Sequence, residues 1–488
     1  MPVPSASAAS SSALERYEPV IGLEVHVQLN TASKIFCGCA NRFGAPPNSL
    51  TCPVCLGLPG ALPVLNRAAV DKAMRAARGL NATVNARSIF ARKNYFYPDL
   101  PKGYQISQYD LPLAEHGGLD VLGKRIGITR LHLEEDAGKN IHEGLPGSDK
   151  HSYVDLNRAG VPLVEIVSEP DMRSPEEAFE YLTRLKEIML YLEVSDCNME
   201  EGSLRCDANV SIRPRGQAQF GTKVEVKNLN SFRYLQRALE YEIERQAEVL
   251  DTGGRIGQET RLFQVAENRT ASMRSKEHAH DYRYFPEPDL APLIVSDAWR
   301  ARVEADLPEL PQALRERLQA TYGLSVYDAQ VLTASRALAR YFEQAASGSP
   351  NPKAVANWIM GDLLAYAKSV NTGPETVGIP PAHIAELVAL IDEGAISGKM
   401  AKDVFAAMLA QHEPPRKLVE SMGMKQISDT GALDKIIDGV VAAHPQQVAQ
   451  YRAGKTSLLA FFVGQVMKAS RGQAAPALVN ELLKKKLG

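Results

Sequence analysis

Five segments of the 488-residue chain alternate apolar and polar residues with period two. In 20–29, Ile21, Leu23, Val25, Val27 and Leu29 fall on one side, with Glu24, His26 and Gln28 on the other. Segment 126–134 sets His132 and Glu134 against Leu131 and Leu133, and 161–169 groups Glu165 with Glu169. In 204–213 Leu204, Cys206, Ala208, Val210 and Ile212 oppose Arg205, Asp207, Asn209, Ser211 and Arg213. In 223–227 Lys223, Glu225 and Lys227 oppose Val224 and Val226. This pattern predicts strands with one buried and one polar face, in an antiparallel sheet packed on one side. A solvated face explains alternation alone. Here, however, the polar positions mix carboxylates with His, Arg and Asn, the side chains that metal and phosphate chemistry uses.

Spacing near 3.6 predicts helices over 67–80, 175–192 and 232–250, the second opened by Ser174-Pro175-Glu176-Glu177, a capping Ser followed by Pro and acids. Beyond Leu307 the chain turns Ala- and Leu-rich, with amphipathic segments at 312–322, 326–346, 353–369, 383–392 and 397–412. Gly348-Ser349-Pro350 and Gly373-Pro374 punctuate them. The last stretch, 419–488, holds nine Lys/Arg against five Asp/Glu, a net charge of +4, chiefly from Arg452, Lys455, Lys468, Arg471 and Lys484 to Lys486. A solvated helix face or an RNA contact would each account for it. The expected class is α+β: a leader over 1–16, a sheet-based domain over 17–305, an all-helical domain over 306–418 and a helical tail over 419–488.

A formal charge of −2 confines any nucleic-acid contact to local patches. The Ser/Ala-rich start lacks a basic n-region and an apolar h-region, so it reads as a disordered leader and not a signal peptide. No run of about 18 apolar residues predicts a membrane span. Six cysteines in a chain of this length do not form a disulfide scaffold and point to a reducing cytosol.

Cys37-x-Cys39 and Cys52-x2-Cys55, twelve residues apart, are spaced to bring four thiolates around zinc. Four thiolates leave no open position, so such a metal is structural. A zinc deaminase would need His-x-Glu upstream of Pro-Cys-x-x-Cys, and here His132-Leu133-Glu134 lies downstream. Glu134, Glu135 and Asp136 are consecutive acids whose repulsion a cation would relieve, and oxygen donors beside phosphate suit magnesium. Glu24 and His26 share a strand face, and Glu165 would complete the set. The cations and aromatics of 92–105 suit either a stacked, unpaired RNA end or a packed core. Gly454-Lys455-Thr456 is no P-loop, because position 449 is Ala.

With these motifs in view, segments 20–29, 93–105, 131–139, 155–163, 201–207, 274–277 and 281–289 closely resemble the B subunits of bacterial aspartyl/glutamyl-tRNA amidotransferases. The resemblance runs from about Tyr17 to the C-terminus; the chain is too short for the inserted domain of the archaeal relative. It implies a cradle-shaped catalytic domain, a helical domain and a tail that grips tRNA. It also implies ATP-dependent phosphorylation of the misacylated side chain on Glu-tRNA(Gln) or Asp-tRNA(Asn), then displacement of phosphate by ammonia. By motif, Glu24, His26, Glu135 and Glu165 form the implied magnesium set, with Glu134 and Asp207 close by and Lys93 at an ammonia gate. Arg158, Arg205, Lys227 and Asn228 are the inferred phosphate or substrate contacts. Cys37, Cys39, Cys52 and Cys55 match the family's zinc knuckle. Implied cofactors are thus ATP, Mg2+ and structural Zn2+, and implied partners an amidase A subunit, a small C subunit and tRNA. The competing readings are a metal-containing tRNA-binding scaffold without catalysis and a small-molecule carboxylate–amine ligase.

Overall fold

The computed structural model describes residues 13–142, 144–147, 150–275, 282–424, 430–470 and 473–488. Residues 1–12 of the expected leader, 276–281 of the family motif and Arg471 of the basic tail lie outside them. The chain divides into two compact units, Met1–Pro311 and Gln312–Gly488.

The first unit holds, in chain order, strands β1 (Tyr17–Gln28), β2 (Thr83–Val84), β3 (Arg87–Ser88), β4 (Phe90–Asn94), β5 (Tyr104–Gln108), β6 (Ala114–Val121), β7 (Lys124–Glu135), β8 (Lys139–Ile141), β9 (Tyr153–Asp155) and β10 (Pro162–Ser168). They continue with β11 (Leu204–Pro214), β12 (Val224–Lys227), β13 (Glu259–Gln264), β14 (Arg269–Ser275), β15 (Phe285–Pro286) and β16 (Leu293–Ile294). Nine of these make one sheet in the order β14-β13-β12-β11-β1-β10-β7-β6-β2. The five alternating segments are therefore five adjacent strands at its centre, β12 to β7. The sheet is not wholly antiparallel, since β12 and β13 pair in parallel. Helix α3 (Phe232–Asp251) lies between those two strands in sequence and supplies the crossover that a parallel pair needs.

Helices α1 (Arg67–Gly79), α2 (Pro175–Tyr191) and α3 pack on the apolar face. Ser174 caps α2 by accepting from the Glu177 N–H, as its sequence predicts. Leu131, Ile166, Val25 and Cys206 are aligned across four strands, as are Leu133, Val164, Val27 and Leu204, and all are buried. Each such side chain contributes about 1.5–3 kcal/mol through burial, which fixes the register, because a one-residue slip would send both rows into water. Cys197, likewise buried, packs in the same core.

The segment 92–105, a Pro-rich stretch of cations and aromatics, carries the loop of a hairpin whose strands are β4 and β5, flanked by β15. Its Tyr95–Gly103 connection alone is loop.

The second unit is helical. Its predicted helix at 326–346 is broken into Val326–Leu332 and Arg336–Ser347. There the Thr333 hydroxyl bonds back to the Ala329 carbonyl, and Ser335 caps the fresh N-terminus at Arg336 by accepting from the Leu338 N–H. Four further helices, Thr430–Ala443, Pro445–Arg452, Leu458–Ala469 and Pro476–Leu487, share their own apolar cluster around Leu433, Ile437, Phe462, Val466 and Leu483. Among the described residues no helix is long and apolar enough to cross a membrane.

Candidate active site and metal centres

The polar face of the sheet is ordered into rows by strand register. His132 of β7 faces Glu165 of β10, Glu165 faces His26 of β1, and His26 faces Arg205 of β11. One row toward the C-terminus of β7, Glu134 lies opposite Leu163. One row the other way, Glu24 faces Asp207, beside Lys227. Directly opposed residues in a ladder bring their Cβ atoms about 4.5–5.5 Å apart, so period-two sequences on four strands suffice to bring these groups together.

Within the central row the His26 Nε2 lies 3.3 Å from Glu165 Oε2 and 3.9 Å from Glu134 Oε1. The His132 Nε2 stands 3.5 Å from Glu134 and 3.6 Å from Glu165. Ser107 of β5 donates its hydroxyl to Glu134 at 2.9 Å. Burial pushes both carboxyls up, yet the neighbouring imidazoles and Lys93 outweigh it and hold Glu134 and Glu165 below the usual carboxylate range. His26 shows the complement: burial lowers it, and Glu165 and Glu134 raise it above the ordinary imidazole value. His26, Glu134 and Glu165 offer one nitrogen and two carboxylate oxygens within 4.8 Å of one another. The donor set suits a divalent cation that keeps positions for water or substrate. His132 Nδ1 is buried without a hydrogen-bond partner, so the imidazole is held by its other nitrogen alone.

Lys93 of β4 rests 4.9 Å from the centre of the Tyr282 ring. Burial depresses this ammonium, but Glu134, Tyr284 and Glu165 more than restore it, so it is charged throughout the neutral range. Tyr282 meets Tyr95 and Tyr284 edge-on, and Tyr284 stacks on Tyr109 at 4.2 Å. Tyr95, Tyr109, Tyr282 and Tyr284 thus wall the basin beside Lys93, while Phe96 and Tyr97 stay exposed. On the far side, Lys227 bonds Asp207 at 2.6 Å and Glu225 at 3.1 Å, and Asn209 donates to Glu24 at 3.2 Å.

Two expected members, Glu135 and Asn228, fall elsewhere, and so does Glu169, which alternation groups with Glu165. Glu135 is the alternate of Glu134 along β7 and points to the other face. There its carboxylate binds Lys102 and the Ile106 N–H. It does not join His26 and Glu165; Glu134 takes that place. Glu169 lies past a register shift at Val167/Ser168 and accepts from Thr129 at 2.8 Å. Asn228 is a turn residue with φ 69°, its amide donated to the Phe263 carbonyl at 2.9 Å. Conversely, His132 and Asp136 join the site without belonging to the expected set. Both lie two residues from Glu134 on β7 and its extension, so the same alternation marks them.

The cysteines form a second cluster. Cys37, Cys39, Cys52 and Cys55 bring four sulfurs within 4.8 Å of one another. A shared proton from Cys37, with the Cys52 N–H and Lys34, holds the Cys55 thiol down at about 4 against burial. The same sharing raises Cys37, while burial leads Cys39 up to about 11. One thiol held low among crowded sulfurs is the arrangement that a bound cation resolves by taking all four as thiolates. Lys34 is fully buried. It donates to the Leu50 carbonyl at 2.8 Å and the Leu156 carbonyl at 3.4 Å, 3.7 Å from Cys55 Sγ. The cluster is thereby tied to the segment that carries Arg158.

Comparison with known proteins gives the family of the chain. Residues 19–301 match the GatB/GatE catalytic domain and residues 340–487 the GatB domain. The chain is 57% identical to the B subunit of the aspartyl/glutamyl-tRNA(Asn/Gln) amidotransferase from Solidesulfovibrio magneticus, over 97% of this chain and 100% of the relative. It is 58% identical to the protein of the same name from Geotalea uraniireducens, over 97% and 99% respectively.

Proposed function

The chain belongs to the family of aspartyl/glutamyl-tRNA(Asn/Gln) amidotransferase B subunits, and we propose that its sheet basin is where that enzyme activates and amidates the misacylated side chain. The substrate is Glu-tRNA(Gln), Asp-tRNA(Asn) or both. A carboxylate repels nucleophiles, so the γ-phosphoryl group of ATP is first transferred to a side-chain oxygen and ADP leaves. Ammonia then attacks the acyl carbon of this acyl phosphate. The C–O bond to phosphate breaks, the nitrogen loses its extra proton, and the amide remains. The observation that carries this reading is the convergence of His26, Glu134 and Glu165 on one face beside Lys93 and Arg205.

In this scheme His26, Glu134 and Glu165 hold magnesium, which when bound offsets the charge repulsion between ATP and the substrate carboxylate. Because both acids are depressed below the usual range, they are ionised ligands at neutral pH and not proton donors. Arg205 and Arg158 take phosphoryl oxygens. Lys93, cationic and flanked by tyrosines, orients the incoming amine's path. Glu24, Asp207 and Lys227 border the basin. The four cysteines hold structural zinc.

The ammonia comes from a partner amidase A subunit, with a small C subunit as brace, since no amidase Gly/Ser-rich signature occurs in this sequence. The basic helices of 419–488 grip the tRNA, and the assembly works in the cytoplasm. The test supplies the assembled enzyme with Glu-tRNA(Gln), ATP, magnesium and ammonia. ATP cleavage that depends on the charged tRNA is expected; cleavage indifferent to it, or none, overturns the reading.

A further inference from the structure

Asp136 follows directly on β7 and is buried, with 4% of its surface exposed. Its Oδ2 is crowded by donors: Gln28 Nε2 at 2.7 Å, Arg205 Nη2 at 2.9 Å and Arg158 Nε at 3.7 Å. The backbone around it is equally fixed, since its N–H bonds the Val161 carbonyl at 2.8 Å and its carbonyl accepts from Gly160 at 2.9 Å. Arg158 is held further by the carbonyls of Ala137 and Gly138 at 2.9 and 2.6 Å. One carboxylate therefore gathers two guanidinium groups from different segments, and their charges exceed its own by one. Both arginine side chains keep about a third of their surface open, 33% for Arg205 and 30% for Arg158. Arg205 also faces His26 across the β1–β11 ladder. An anion seated on the two arginines would lie beside the row that holds the carboxylates.

We infer that Asp136 is a positioning residue: it aims Arg205 and Arg158 as a single unit at phosphoryl oxygens of ATP, without touching the nucleotide itself. The inference rests on the proposed phosphoryl-transfer reading and adds to it the residue that sets the geometry. A guanidinium fork gives strong, directional contacts to phosphate only when its plane is fixed, and a buried carboxylate is the group that fixes it. Gln28 serves the same end by anchoring the Asp136 carboxylate from β1.

The experiment compares Asp136→Asn, Arg205→Ala, Arg158→Ala and the Asp136→Asn/Arg205→Ala double variant in the full assembled enzyme. KM for ATP, kcat and Mn2+ binding by paramagnetic resonance are measured for each. Asp136→Asn is expected to raise KM for ATP roughly tenfold, the scale of one charge-assisted hydrogen bond. It should leave kcat nearly constant and Mn2+ affinity unchanged. The double variant should weaken ATP binding by less than the product of the two single effects, since Asp136 acts in part through Arg205. A wild-type KM in Asp136→Asn beside a raised KM in Arg205→Ala overturns the inference and spares the phosphoryl-transfer reading. A wild-type KM in both arginine variants overturns that reading as well. If Asp136→Asn does not fold, Gln28→Met decides. It removes one anchor without leaving a buried charge: a KM for ATP raised about threefold supports the inference, and an unchanged one sinks it.

Discussion

Two clusters in this chain have the donors to bind a metal, and they are built in opposite ways. The His26, Glu134 and Glu165 set stands on three consecutive strands of a continuous ladder, and each side chain is placed by register. The cysteine set stands on an irregular stretch that Lys34, Asn48 and Asn157 tie to the loop between β9 and β10. A site made by register inherits its precision from the whole sheet, so losing one donor leaves the scaffold intact. A site made by a loop holds the loop itself, so losing one donor loosens the scaffold. On the proposed reading, chemistry belongs to the first and bracing to the second.

The sharpest way to break this contrast is to remove a donor from each. Glu134→Gln or Glu165→Gln should cut ATP-dependent transamidation by about a thousandfold, the scale of a lost electrostatic contact to the reacting charge. The affinity for tRNA and the thermal midpoint should stay near wild type. Retained turnover in both variants would remove the basin from the reaction.

Glu135→Gln sharpens it from the neighbouring residue. Glu135 and Lys102 form a buried pair on the opposite face of β7. Removing one partner strands a buried ammonium, at a cost of about 3–5 kcal/mol. The expected result is a lowered unfolding midpoint with turnover per folded molecule preserved. Loss of activity without loss of stability would return Glu135 to the magnesium set.

Cys52→Ser, or chelation of the cysteine cluster, should act third. Deprived of the proposed metal, the four-thiol loop is expected to open locally, which limited proteolysis within 37–64 reports. Through Lys34 and Leu156 the effect reaches Arg158, so KM for ATP should rise about threefold, as one weakened hydrogen bond would give. A loop that opens while KM stays constant separates the knuckle from the nucleotide.

How far each cluster could be read from sequence follows from the same contrast. Period-two alternation shows which residues share a face, and Glu24, His26, Glu165, Arg205 and Asp207 all lie on the face so assigned. What alternation cannot show is phase at a strand end. Glu134, Glu135 and Asp136 are three consecutive acids, and only pairing of Glu134 with Leu163 tells which of them join the basin. Nor does it show a register shift, which is why Glu169 parts from Glu165. The hairpin of β4 and β5 is hidden in the sequence because its prolines and glycine sit in the connection and its strands are five residues each. The cysteine cluster needs no register at all: two close pairs at short separation suffice. The parallel β12–β13 pair is a long-range contact across helix α3, for which no local pattern exists.

The smallest expected effect is a shift in one imidazole. In the metal-free protein His26 should titrate above the ordinary 6.5, because Glu165 and Glu134 outweigh its burial. A raised folded pKa means that the pairing stabilises fully below 6.5 and fades as pH rises through the folded value. Glu165 has the opposite sign: depressed in the folded state, it stabilises above the ordinary carboxylate value near 4.3 and fades as pH falls through its own lowered pKa. The pair therefore contributes most between these limits, and Glu165→Gln should bring the His26 titration back down. Since metal binding requires the neutral imidazole, Mn2+ affinity should increase with pH over the interval in which His26 loses its proton. The histidine ring-proton shifts followed against pH, with and without Mn2+, measure both. A His26 that titrates at or below 6.5 in the wild type would mean that the carboxylates are turned away from it, and the row across β1 and β10 would no longer be a single electrostatic unit.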